Sequence, residues 1–427
     1  MDSQGPNEPA QRRFGRRPIL KGGLVAAAAA VAAPSAVFGE TARAAPAGRA
    51  APVRGDRALP VPPVIRSRDD LIAKGARVPL LQAGASALPI TLDGVTYEMA
   101  QDMAWLDAEH FAVGRWDGSM SIFEYGAAPF GGPLIREAVN SPSFAGVQMV
   151  AALPGNAIAT TNDDASIALW RSPSGTWKDL ALVGTLPFDA ALGVATSGRG
   201  LVVGDRSFLV VGHTSGFASL WRYHPATRNL VFRRAVDLRN PVPVNPWGLH
   251  DIRGVDVVVG TDGVPRAVTG SEDGYVSILD VPSGAILSQT VFNPSAQRGI
   301  NSVSVAGESL LVANCSVGSA DHNLWYFSID RQTWAVTLRD QANLLIDTQR
   351  PQAFNFETVW GSYGGNQCWF ASTEEGALWM GTAGPGLSTL GYQEVTSPLG
   401  STLAYKDGPG RLAMVAYDLY QYSTAAP

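Results

Sequence analysis

The chain has 427 residues, 46% hydrophobic and 16% charged, so it carries ample apolar material for a core. Its net charge is −5, and beyond residue 44 there are 26 basic against 34 acidic side chains, the wrong balance for sequence-independent nucleic-acid binding. Cys315 and Cys368 are too few for a disulfide framework or a zinc site, and the five dispersed histidines show no metal-ligand spacing.

The first element is an export signal. Residues 15–21 read Gly-Arg-Arg-Pro-Ile-Leu-Lys, followed by an alanine-rich apolar stretch to about Val37 and a small-x-small pattern, Ala42-Arg43-Ala44. This resembles a bacterial twin-arginine translocation signal, with Arg16 and Arg17 as the paired arginines and Gly15 where Ser or Thr is usual. The resemblance implies export of a folded chain to the periplasm or medium. The stretch is weakly hydrophobic and holds Pro34, unlike a spanning helix. No other segment is apolar and long enough to span, so no stable membrane insertion is expected after cleavage. Residues 45–78, rich in Pro, Ala and Arg and without periodicity, read as a linker.

From about residue 89 a unit of roughly 50 residues repeats, a period typical of propeller blades. Its clearest part is a hairpin of two apolar strands around a polar turn. It appears at Phe111–Phe123, Ile158–Trp170, Leu209–Trp221, Ala267–Leu279, Leu311–Phe327, Trp369–Met380 and, degenerately, Leu412–Tyr422. A strand precedes each hairpin and an outer strand follows it. The pattern resembles WD40-type and related bacterial propellers, although the Trp-Asp and Gly-His signatures are mostly missing. The resemblance implies an all-β, seven-bladed propeller over residues 79–427. Even strand spacing also fits a pair of β-sandwiches. The seventh copy ends without an outer strand, and Leu88–Thr96 has no partner of its own. Pairing that segment with the last blade predicts ring closure and removes an open edge.

Ligands of a propeller usually sit at one end of its channel, so one residue per blade is a candidate near the start of each innermost strand. These are Asp102, Gln148, Gly193, His250, Asn301, Glu357 and Ser401. His250, with Asp251 beside it, Glu357 and Asp102 form a candidate acid–base set, because a carboxylate near an imidazole tunes it toward working pH. The register is open by a residue or two, and one step turns a side chain to the other face. The loops into blades four to six carry Trp247, Arg298, Arg350 and Phe354, a chemistry suited to carboxylates, phosphates or sugar rings. The hairpin turns add Arg115, Trp116, Asp163, His213, Glu272, Asp273, Glu374 and Glu375. These acids make calcium a candidate ligand, but no loop has compact Asp-x-Asp-x-Asp spacing and no cofactor is expected. The two cysteines fall on neighbouring blades at different strand levels, which predicts two free thiols.

Motifs for a nucleophile elbow, a phosphate loop, a zincin site and c-type haem attachment are missing, as is the cysteine pair of quinone-dependent propellers. Three functions stay open: a monomeric exported module binding a protein partner or carbohydrate, a polysaccharide lyase or hydrolase using His250, Glu357 and Asp102, and an assembly or accessory factor for an enzyme encoded nearby.

Overall fold

The computed structural model describes residues 81–87, 90–92, 95–97, 100–115, 118–125, 134–140, 146–162, 165–241, 248–291, 298–316, 322–346, 353–394, 402–415 and 418–424. The signal and linker segments lie outside the described residues. Seven four-stranded antiparallel sheets follow one another along the chain, with one short hairpin beside them. Their innermost strands are Ala100–Trp105, Val147–Leu153, Ala195–Val203, Ile252–Val259, Arg298–Ala306, Asn355–Tyr363 and Thr402–Lys406. Each of these packs on the next, and the last packs on the first. The chain is therefore a seven-bladed β-propeller.

The hydrophobic core is divided among the blade interfaces. In the second strand of blade three, Leu209 and Val211 join the cluster shared with blade two, while Phe208 and Val210 join the cluster shared with blade four. Blade five does the same, sending Leu310 and Val312 to blade four and Leu311 to blade six. Strands buried on both faces carry apolar residues at consecutive positions, which is why these hairpins read as near-continuous hydrophobic runs. Ala100, Met103 and Phe111 of blade one meet Ala413, Val415 and Leu419 of blade seven, so the ring closes on a core of its own.

Two local devices recur. In blades one, three, four and six the residue just before the third strand is a glycine, at φ 80°, 82°, 90° and 77° (Gly118, Gly216, Gly274 and Gly376). Blade two fills that place with Ala165 at φ 57°. The second device is a register shift near the start of the innermost strand in blades one to six, which leaves one residue bulged. The bulged residues are Gln101, Gln148, Thr196, Arg253, Asn301 and Phe356, all buried.

Ring closure is as expected in kind but uses another segment. Leu81–Ala87, not Leu88–Thr96, pairs antiparallel with Asp418–Ser423 as the outer strand of blade seven. Ile90–Leu92 pairs instead with Val95–Tyr97. The two residues between them are Asp93-Gly94, the strongest short hairpin signal a sequence offers, and local pairing wins over docking at a distance.

Candidate binding site in the central channel

The bulges set the register of the channel wall. The first residues beyond them are Asp102, Met149, Ser197, Gly254, Ser302 and Glu357, and two residues further lie Ala104, Ala151, Arg199, Asp256, Ser304 and Val359. Polar side chains on these two levels tie several blades to their neighbours. The Asp102 carboxylate accepts from its own chain at Met103 N (2.9 Å) and from Val150 N of blade two (2.8 Å). Asp256 repeats this one level down, accepting from Val257 N (2.8 Å) and from Val305 N of blade five (2.7 Å). Ser302 donates to Glu357 Oε1 (2.7 Å), and Ser197 donates to Ile252 O (2.8 Å). Trp105 donates its indole N–H to Ala404 O of blade seven (3.0 Å).

Arg199 is the cation at the middle of this acidic set. Gly198 and Gly200 flank it, and both are dictated by packing. A Cβ at Gly198 would press on Met149 and the Val210 carbonyl, and one at Gly200 would strike the Ala152 carbonyl. The guanidinium lies 3.9 Å from Glu357 Oε1, and its other described contact is to Gly198 O (3.3 Å). Burial works against its charge, but the carboxylates of Asp102, Glu357 and Asp256 outweigh that and hold Arg199 above the ordinary arginine value. Burial raises Asp256 above the ordinary carboxylate value, and the nearby Arg199 and the two backbone donors only partly offset it. Arg199 keeps 28% of its side chain accessible. It faces a cavity of about 440 Å³ to which all seven innermost strands contribute, through residues such as Trp105, Ala152, Arg199, Asp256, Ser304, Trp360 and Tyr405. Lys406 and Asp407 place it toward the lower end, where innermost strands finish.

The residues expected to form the site divide. Asp102 and Glu357 come together around Arg199. His250 lies elsewhere, with Nδ1 2.8 Å from Asp273 Oδ2. Asp273 is fully buried in the hairpin turn of the same blade and also accepts from Asn240 N (2.8 Å) and the Ser271 hydroxyl. His250 thus fastens a loop to a turn. Gln148 and Asn301 occupy bulges, and Asn301 Nδ2 donates to Asn355 O of the next blade (2.8 Å). Arg115 is buried opposite the first bulge, where its guanidinium donates to Ser121 Oγ (2.6 Å). Arg298 begins an innermost strand opposite Ser316. Trp247, Arg350, Ser401, Trp116 and Asp163 lie outside the described residues. Gly193 follows a short 3₁₀ turn at φ 73°. Cys368 is a buried free thiol whose pKa burial pushes up.

Beside the His250 latch, Arg253 bridges two buried acids, 2.8 Å from Glu272 and 3.5 Å from Asp251. Burial raises both carboxyl groups, Glu272 to about 7, against the pull of Arg253. Among the described residues no group of three or more His, Cys, Asp or Glu side chains is arranged to hold a metal ion. Among them, too, no helix is long and apolar enough to cross a membrane.

Arg199 and Asp256 were not picked out from the sequence. The usable signal is a charge set between glycine or apolar neighbours in an innermost strand, Gly-Arg-Gly in one blade and Val-Asp-Val in the next. It becomes a site only once the bulges bring the two to one level.

No family model and no curated protein matches the sequence. Among solved structures the chain is similar to the β-propeller domain of Cps50 (Swd1) from Myceliophteria thermophila, at 13% identity and a TM-score of 0.54, over 79% of this chain and 99% of that one. At that identity the likeness is one of fold.

Proposed function

We propose that the protein is an exported binding module, delivered by the twin-arginine route and presenting its channel to a protein partner or a glycan. The observation that carries this reading is the cavity at the propeller axis, lined from every blade and holding an arginine whose neighbours Asp102 and Asp256 each already accept two backbone N–H groups. Pockets of this size with a few convergent polar groups are the usual form of small-ligand sites. The test is thermal unfolding of the mature chain against an oligosaccharide panel and divalent cations, since a ligand of the native state raises the midpoint. A protein partner is sought in parallel by cross-linking in the exporting cell. Failure of both sinks the reading.

A second reading, a polysaccharide lyase or hydrolase, keeps one observation on its side: Asp102 and Glu357 both sit beside Arg199. It predicts that Glu357→Gln abolishes turnover of a polysaccharide that the wild type cleaves. Absence of cleavage by the wild type removes it.

A further inference from the structure

The cavity wall combines three kinds of surface. Arg199 offers N–H donors. Each Asp256 oxygen already accepts one backbone N–H and keeps capacity for a second donor. Ser304 Oγ accepts from Trp360 N (3.0 Å), which leaves its hydroxyl hydrogen to donate. Between these groups lie aromatic and aliphatic surfaces from Trp105, Val303, Val359 and Tyr405.

This mixture discriminates by charge. An anion reaching Arg199 meets the field of Asp102, Asp256 and Glu357, and a cation reaching those acids meets Arg199. A hydroxyl group satisfies both, because it accepts from the guanidinium while donating to a carboxylate. Apolar walls suit the C–H faces of a ring, and the volume has room for about one or two six-membered rings.

Resting on the binding-module reading, we propose that the channel cavity holds an uncharged sugar residue, whose hydroxyls accept from Arg199 and donate to Asp256. The protein then recognises a neutral glycan by a terminal ring inserted along the axis from the lower face.

Calorimetric titration of the mature chain tests this with the methyl glycosides of glucose, galactose and mannose. Glucuronate and glucosamine serve as the charged comparisons. A neutral glycoside is expected to bind, and both charged sugars to bind about tenfold more weakly or not at all. Ala104→Phe, which adds bulk to the cavity wall at an apolar position, is expected to abolish binding. Arg199→Lys, which keeps the charge but loses the planar fork, is expected to weaken it about tenfold. Circular dichroism identifies a variant that fails to fold, and the other variant then carries the test. Preferential binding of glucuronate or glucosamine overturns the neutral-sugar assignment and leaves the module reading intact. Binding that survives Ala104→Phe in a folded protein moves the site out of the channel. If no saccharide binds, the sugar site is refuted, and the module reading rests on whether cross-linking finds a protein partner.

Discussion

His213 and Glu272 titrate in the same pH range with opposite consequences. Burial holds His213 down at about 4, only partly countered by a hydrogen bond with the Gly193 backbone, so the native state keeps the ring neutral where the unfolded chain charges it. Its contribution to stability is complete above the ordinary histidine value of about 6.5 and is lost as pH falls toward 4, a change of about 3 kcal/mol. Glu272 runs the other way. Burial raises it to about 7, with Asp251 and Asp273 adding to the rise and Arg253 opposing it, so the native state keeps a proton that the unfolded chain has released. That contribution is complete below about 4.5 and is lost as pH rises toward 7. For this pair the slopes nearly cancel between pH 4.5 and 6.5. Denaturant unfolding across that range is expected to show Glu272→Gln gaining stability with rising pH, and His213→Gln losing it, each relative to the wild type. Parallel curves for wild type and both variants would refute the assignment. Ala165 supplies a second residue-scale prediction. It holds a left-handed conformation that four other blades give to glycine, so Ala165→Gly should stabilise by about 0.5–1 kcal/mol in the same measurement.

At the scale of the element, the closing strand decides whether the ring has an edge. Leu81–Ala87 covers Asp418–Ser423, whose Tyr420 and Tyr422 lie with Leu412 and Met414 of the adjacent strand in the core shared with blade six. A chain beginning at residue 79 is expected to fold as a monomeric propeller. A chain beginning at residue 88 keeps the Ile90–Tyr97 hairpin but exposes the last strand, and it is expected to aggregate or lose cooperative unfolding, read by size-exclusion chromatography and circular dichroism. An intact fold from residue 88 would restore Leu88–Thr96 as the closing strand. This element also shows what the sequence made legible. The hairpins stood out because strands buried on both faces give unbroken apolar runs, and blade count and closure in kind followed from them. The closing segment did not, because Ile90–Leu92 pairs locally with Val95–Tyr97 while the seven residues of the strand that does close the ring, Leu-Gln-Ala-Gly-Ala-Ser-Ala, alternate only weakly. The site was half legible for a related reason. Aligning blades by their hairpins placed Asp102 and Glu357 on one level, but it missed the bulges. Each bulge adds a residue to the innermost strand, turning Gln148 and Asn301 out of register with those two acids and hiding Arg199 and Asp256 one level lower.

At the scale of the whole molecule, the fold bears on the proposed export route. Every blade contributes to two cores, and the first strand of the ring pairs with its last, so the propeller completes itself only when the chain is nearly all made. Topologies dominated by such distant pairings fold slowly and expose strand edges meanwhile. A route that carries folded cargo avoids threading such a chain through a membrane unfolded. Cys368 adds a condition that the cytosol meets, being a free thiol packed with Tyr363, Phe370 and Met380 in the core between blades six and seven. A fold that buries a reduced cysteine suits a compartment that keeps thiols reduced. Changing Arg16 and Arg17 together to lysine is therefore expected to hold the precursor inside a host competent for twin-arginine export. The retained protein should be folded, giving a protease-resistant fragment that begins near residue 79. Fractionation followed by limited proteolysis reads both outcomes. Export undiminished by the double change would refute the twin-arginine assignment. A retained precursor that proteases degrade completely would show that folding waits for the far side of the membrane, which the buried thiol and the long-range closure argue against.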